Sequence, residues 1–220
     1  NPEAAREALE AWRTSLADAR ARLDARDYPA AVDTASAAWE SLRRAYLLAQ
    51  RPSTVEFRGW WNHSGTGAFD TWEESMANLE AGGFNAILPN MLWGGVALYD
   101  SEYLPHHPVV AERGDQIAEC VAAAKRHGIE VHPWKVNWNL GSAAPQSFIE
   151  QMRAEGRLQM NFDGSEGLWL CPSNPLNQEL ELNTMVEVAR KYDVDGVHFD
   201  YIRYPGTNSC FCPVCRAAFE

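Results

Sequence analysis

Residues 194–205 read VDGVHFDYIRYP, and the fold follows from how this stretch is placed between its neighbours. A helical segment reaching Tyr192 leads into residues 195–201, which read as a strand, and Pro205-Gly206 closes it. Strand side chains alternate with period two, so His198 and Asp200 share one face. In parallel α/β architectures ligands sit at the C-terminal ends of strands, which makes Asp200 a functional candidate by position. Polar groups on the inward face of a buried strand are costly unless paired, so a carboxylate beside aromatics, with Arg203 three residues on, needs a purpose. The structural alternatives are a salt bridge from Asp200 to Arg203 or a strand-end cap.

Working outward, the same unit recurs. Asn174-Pro175 has the cap-then-proline order that starts a helix, and this helix runs to Tyr192. Residues 129–136 form the preceding strand, after a helix over about 115–127 that stops at Gly128. Residues 84–89 (FNAILP) form a strand, preceded by a helix whose start, Thr71-Trp72-Glu73-Glu74, has capping-box spacing and whose end lies at Gly82-Gly83. Residues 57–61 (FRGWW) form the first strand. Strand and helix in alternation imply a parallel sheet. Two long excursions interrupt the pattern, one through Trp93, Tyr99 and His107, the other over 137–175 with a helix near 148–155. Such loops need a reason.

Four βα units result. A closed (β/α)8 barrel has eight strands and about 250 residues, so four units cannot close one. The first 50 residues differ: apolar positions Leu9, Trp12, Leu16, Ala19 and Leu23, then Val32, Ala35, Trp39, Leu42 and Tyr46, recur at steps of three and four. They predict an antiparallel helical hairpin turning at 25–29, with Pro29 opening the second helix and Pro52 following its end. Residues 1–52 are therefore a hairpin and linker, and 53–220 the βα domain.

The strand-end rule selects further residues. They are Asn62 and His63 after strand one, Asn90 after strand two, and His132, Trp134 and Asn137 on or after strand three. Trp93 and Trp134 suit stacking on sugar rings, because flat aromatic faces match the apolar faces of sugars; core packing is the alternative for each. His132 and His198 either orient Asp200 and contact hydroxyls or are hydrogen-bonded core histidines. Lys135 alternates away from Trp134, toward the helices.

Residues 194–205 resemble the DGIHFDYIRYP segment of the glycoside-hydrolase-like family 10 proteins, bacterial TIM barrels assigned to glycosyl hydrolysis. Residues 57–61, 82–89 (GGFNAILP), 128–134 (GIEVHPW) and 170–175 (LCPSNP) support the likeness in the expected order. The resemblance implies the N-terminal half of a (β/α)8 TIM barrel that acts on a polysaccharide or glycan, with Asp200 as nucleophile or essential carboxylate. Asn62, Asn90, Trp93, His132, Trp134, Asn137, His198 and Arg203 would then contact substrate. It also implies a secreted or periplasmic location. A second carboxyl is needed, about 5–5.5 Å away for retention or 6.5–9.5 Å for inversion. Asp100, Glu102, Asp163 and Glu166 lie on loops, but the family expectation is an acid from a later strand. A non-catalytic carbohydrate-binding barrel is the runner-up, and a metal-dependent hydrolase using His132, His198 and Asp200 the third reading.

Composition narrows the field. A net charge of −11 argues against nucleic acid, whose phosphates are bound by clustered Lys and Arg. No stretch approaches the roughly 18 apolar residues of a membrane span, and Asn1-Pro2-Glu3 lacks the pattern of a signal peptide. Three of five cysteines fall at Cys210, Cys212 and Cys215, a spacing unlike a dispersed disulfide framework. They could hold a structural zinc if Cys171, a His or water supplied a fourth ligand; free thiols, or one disulfide with a spare thiol, are the alternatives. No cofactor is required for catalysis. Strands one and four would both be sheet edges, which predicts either a longer barrel or self-association through them.

Overall fold

The N-terminal hairpin consists of α1 (Pro2–Asp24) and α2 (Tyr28–Ala49). Asp27 caps α2 by accepting the Ala30 N–H at 3.4 Å, and Pro29 occupies the first turn. The seam differs from the expected one. Ala31, Ala38 and Ala45, spaced by seven, are the buried positions of α2, while Val32, Trp39 and Tyr46 point to solvent and are each more than 60% exposed. The apolar period is right but rotated by one residue, because alanines allow the two helices to approach closely and the larger side chains do not.

This computed structural model describes residues 2–50, 53, 55–63 and 65–220. The readings of Asn1 and Pro52 fall outside them. The chain divides into two units, Asn1–Glu56 and Phe57–Glu220.

The second unit is mixed α/β. Its main strands are β1 (Gly59–Asn62), β2 (Ala86–Trp93), the broken pair β4 (Glu130–Val131) and β5 (Trp134–Val136), and β8 (His198–Asp200). A short β3 (Val96–Ala97) turns back antiparallel on β2. The main strands are parallel, in the order β1-β2-β5-β8 with β4 also on β2, so neighbours in sequence are neighbours in the sheet. Helices α3 (Trp72–Ala81), α4 (Pro108–Arg113), α5 (Gln116–Arg126), α6 (Gln146–Ala154) and α7 (Pro175–Lys191) occupy the connections, and α8 (Pro213–Phe219) follows β8. Side-chain caps start α3, α5 and α7: Thr71, Asp115 and Asn174 accept from Glu74, Ala118 and Leu176 N–H groups.

Residue parity sorts the sheet's two faces. Ile87 and Met91 pack with Trp72, Met76, Ile117, Cys120, Ala124 and Val188 into the main core under the helices. The cross-strand partners Trp61 and Leu88, then Asn90, Trp134 and His198, then Val136 and Asp200, line the opposite, inner face.

Two expectations need correction. Strand three is not continuous over 129–136: it breaks at His132-Pro133, where the His132 N–H goes to Ile87 O (2.9 Å) and the Pro133 carbonyl accepts from His198 N–H (2.9 Å). The second excursion holds more than a helix. It contains an antiparallel hairpin, β6 (Leu158–Met160) and β7 (Glu166–Leu170), turned by Asp163-Gly164 with Gly164 at φ +84°. The hairpin hangs from the continuation of β5, since Leu140 N–H donates to Leu168 O and Leu170 N–H to Trp138 O. Its own core is Leu140, Ile149, Met152, Leu158 and Leu170. The first excursion has a structural anchor: Glu187 on α7 accepts from Tyr99 OH (2.7 Å), Ser101 OH (2.8 Å) and Glu102 N–H (2.6 Å).

Candidate functional site

The residues of 194–205 divide between the two ends of one strand. At the N-terminal end Asp195 accepts the Val131 N–H (2.8 Å) and its own N–H goes to Val131 O, tying β8's lead-in to β4. Gly196 leaves room for His132, whose Nδ1 would lie 2.4 Å from any Cβ added there. His132 accordingly turns to Glu130 (3.1 Å) and to the Phe57 ring, groups that lie before or at the start of their strands. It does not join the strand-end residues.

At the C-terminal end the half-buried Asp200 accepts the Tyr201 N–H at 2.7 Å, while its carbonyl accepts from Asn137 N–H at 2.9 Å. Tyr201 stands at φ +55°, and Trp138, just past the end of β5, at φ +61°. Left-handed backbone at non-glycine residues costs about 1–3 kcal/mol, and such positions concentrate at functional sites.

Aromatic rings gather on the inner face. The Trp134 ring lies 4.9 Å from Trp61 and 4.2 Å from His63, and His198 stands edge-on to Trp61 at 5.4 Å. Trp134 is fully buried by these neighbours and its Nε1–H has no hydrogen-bond partner. Trp61 remains 54% exposed, so the cluster presents one open aromatic surface. A second platform flanks Asp200: Tyr201 stacks parallel on Trp169 at 5.5 Å, and the Arg203 guanidinium lies 4.4 Å over the other ring, that of Tyr201. Arg203 therefore caps an aromatic stack instead of pairing with Asp200.

The remaining expected residues are spent differently. Asn90 braces the bulge between β2 and β5, its amide donating to Leu92 O (3.3 Å) and Trp134 O (3.2 Å). Asn62 is buried and donates to Gly65 O (2.7 Å). Asn137 turns outward and donates to Glu181 on α7. Trp93 packs against Gly141, which at φ +83° brings its backbone onto the ring, and lines a cavity of about 600 Å³ together with Gln159, Asn161, Trp169, Pro205 and Ser209. Gln159 is buried there with Oε1 unpartnered. Trp169 and Tyr201 were not singled out by sequence; the Asp163-Gly164 turn ahead of Leu168-Trp169-Leu170 is the signal that marks the hairpin carrying one of them.

Three of the four loop carboxylates are engaged elsewhere. Asp100 faces Lys191 and His106, Asp163 accepts from Ser165, and Glu166 pairs with Arg153 at 2.6 Å. Ser165 also holds the Asp163 carboxyl below its ordinary range.

The cysteines converge. Sγ atoms of Cys171, Cys210, Cys212 and Cys215 all lie within 4.8 Å of one another, an arrangement able to hold a metal ion. Among the described residues this is the one grouping of three or more His, Cys, Asp or Glu side chains so placed, so His132, His198 and Asp200 form no common metal site. Burial, with neighbouring thiols, raises the Cys171 thiol, and burial pushes Cys210 up to about 11. At Cys212 burial works upward too, but the Cys215 N–H and the adjacent thiols together bring it below the usual value.

The family model for glycosyl hydrolase-like 10 matches residues 54–211, a span that includes every main strand of the sheet. The chain belongs to this family. The glycosyl hydrolase-like 10 region thus covers Asp200, the inner aromatic cluster and the β6–β7 hairpin. Among solved structures, a chitobiase from Flavobacterium johnsoniae is 18% identical, with a TM-score of 0.43; the match covers 76% of this chain and 28% of that one. No curated protein matches. Among the described residues no helix is long and apolar enough to cross a membrane.

Proposed function

We propose that the second unit supplies the first four βα units of a (β/α)8 glycoside hydrolase acting on a polysaccharide or glycan, with Asp200 as nucleophile or essential carboxylate. The observation that carries this reading is Asp200 itself. It is a strand-end carboxylate anchored by one backbone N–H, free of any cationic partner among the described residues, and flanked by the Trp61–Trp134–His198 cluster and the Trp169–Tyr201 stack. A carboxylate beside aromatic faces would supply one of the two carboxyl groups that glycosidic cleavage through an oxocarbenium-like transition state uses. Asp100, Asp163 and Glu166 are committed elsewhere, and we assign the partner acid to a later strand, as the family resemblance implies. Both β1 and β8 are edges of the described sheet, and further strands, from a longer chain or a second copy, would pair with them. Catalysis needs no cofactor. Polymeric substrate suits a secreted or periplasmic setting.

The test is a hydrolysis screen over glycans on the longest natural form of the protein, with Asp200→Asn beside it. Release of reducing sugar that falls by several orders of magnitude in the variant supports the reading. Hydrolysis near the parental rate in Asp200→Asn removes this residue from the mechanism. Binding of glycans without hydrolysis by the parent would instead support a carbohydrate-binding barrel, which the engagement of the loop carboxylates favours as the second reading.

A further inference from the structure

Four thiols from two loops far apart in sequence meet at one point. We propose that Cys171, Cys210, Cys212 and Cys215 bind one zinc ion as a closed tetrathiolate, and that the ion clamps the β7–α7 connection to the segment after β8.

The distances fit a metal and not a bond between sulfurs. Cys171 Sγ lies 3.5 Å from Cys212 Sγ and 3.4 Å from Cys215 Sγ, against about 2.05 Å in a disulfide. A tetrahedron with zinc–sulfur bonds of about 2.3 Å has sulfur–sulfur edges of about 3.8 Å, and the four Sγ atoms fall inside 4.8 Å. All-sulfur tetrahedral sites select zinc or iron, and four protein ligands leave no open position for catalysis. The fourth ligand, Cys171, comes from the other loop, which is what turns a local knuckle into a clamp. Cys171 and Cys212 are buried and Cys210 and Cys215 half-buried, so the ion would be partly shielded from solvent.

Backbone bonds already lay the post-β8 segment along the hairpin. Phe162 N–H donates to Asn208 O (3.0 Å), Phe211 N–H to Met160 O (2.7 Å), and the Phe162 and Phe211 rings meet at 5.3 Å. Cys171 N–H is likewise fixed, to Arg157 O at 2.8 Å. The thiols themselves contribute little to this: neutral, they are weak donors to one another, and as thiolates they repel. A divalent cation converts that repulsion into a cross-link between the two strands' ends. Trp169 lies two residues before Cys171, and Tyr201 opens the loop that reaches Cys210. The clamp therefore spans the two segments that carry the parallel aromatic stack beside Asp200. It is a positioning device. The proposal is independent of the glycosidase reading, and its readouts involve no glycan.

The full chain, purified without chelator or added metal, should contain one zinc per chain by elemental analysis. After cobalt exchange it should show the visible bands of tetrahedral thiolate coordination. Cys171→Ser should weaken zinc binding by more than the ~100-fold that loss of an outer-shell partner can cost, whereas Cys120→Ala, in the main core, should keep the ion. Chelation should speed hydrogen exchange at the Phe162 and Phe211 amides and leave the α1–α2 hairpin unchanged. Metal-free protein with four thiols or a disulfide by mass, or iron in place of zinc, overturns the site. Zinc present, with exchange at Phe162 and Phe211 indifferent to its removal, overturns the clamp.

Discussion

Trp134 and Lys135 are neighbours in the chain and opposites in their surroundings. Lys135 points to the helices, is wholly buried, and is paired: its ammonium donates to Thr184 OH (2.6 Å) and lies 3.1 Å from Glu181, which also accepts from Asn137. Burial alone lowers the Lys135 pKa, and Glu181 opposes that shift. Trp134 points to the inner face, where it meets rings, and Asp200 two strand positions further along that face has a single backbone donor. The outer face spends its charges on holding α7 to the sheet. The inner face leaves a carboxylate and aromatic surface available. Neighbouring positions of β5 thus face a packed, charge-paired side and a side lined by aromatic rings.

Substitutions at the two faces should separate activity from stability. The largest effect belongs to Asp200→Asn: glycan hydrolysis falls by several orders of magnitude while the urea midpoint stays near the parent's, because the Asn oxygen still accepts the Tyr201 N–H. A large midpoint drop would move Asp200 to the architectural side. Lys135→Met should do the reverse, destabilising by about 3–5 kcal/mol because a buried ion pair is broken from one side and Glu181 loses its cationic partner. The double variant Lys135→Met/Glu181→Leu should recover much of this, though Asn137 then loses its acceptor; no recovery would mean that packing, not charge, sets the cost. Trp61→Ala should weaken glycan binding by roughly tenfold, on the scale of one aromatic contact, with little change in midpoint, as titration by intrinsic fluorescence would reveal.

The smallest effect concerns pH, on neither face. His127 bonds Glu80 (2.7 Å) and Glu73 (2.9 Å), which raise its pKa, and Arg126 first, then His127, lower that of Glu73. The histidine's contribution is full below its unfolded value near 6.5 and is lost as pH rises through the raised one. The glutamate's is full above about 4.5 and is lost as pH falls through the lowered one. His127→Gln should thus cost stability mainly between roughly pH 4.5 and 6.5, and unfolding midpoints measured across that interval that run parallel to the parent's would contradict it.

Much of this arrangement was legible before the structure, for identifiable reasons. Helix starts were readable because Thr71, Asp115 and Asn174 supply the side-chain oxygen that an N-terminal turn lacks. The inward parity of His198 and Asp200, and the outward turn of Lys135, follow from alternation alone. Other features depend on contacts made across the chain. Period does not distinguish Val32 from Ala31 as the hairpin seam; the closeness of the helices does. Strand-end position grouped His132 with Trp134, yet the break at Pro133 and the space over Gly196 send its ring to the other end of the sheet. Asn90 and Asn137 sat where ligands bind but are used by a bulge and by Glu181. Trp169 and Tyr201 became visible as a pair only once the hairpin was folded against the strand-four loop.

Glycan cleavage on the inner face at Asp200 can be tested on the bound substrate itself. The most direct measurement is a crystal structure of Asp200→Asn, in the longest natural form, with a glycan that the parent hydrolyses. Cleavage at Asp200 requires an anomeric carbon within about 3.5 Å of the residue-200 side chain, with sugar rings against Trp61 or the Trp169–Tyr201 stack. A glycan seated in the cavity of about 690 Å³ along β1 and α3, which Trp61 lines together with Trp60, Asn62 and Ser75, with residue 200 out of reach, would rule out cleavage at Asp200.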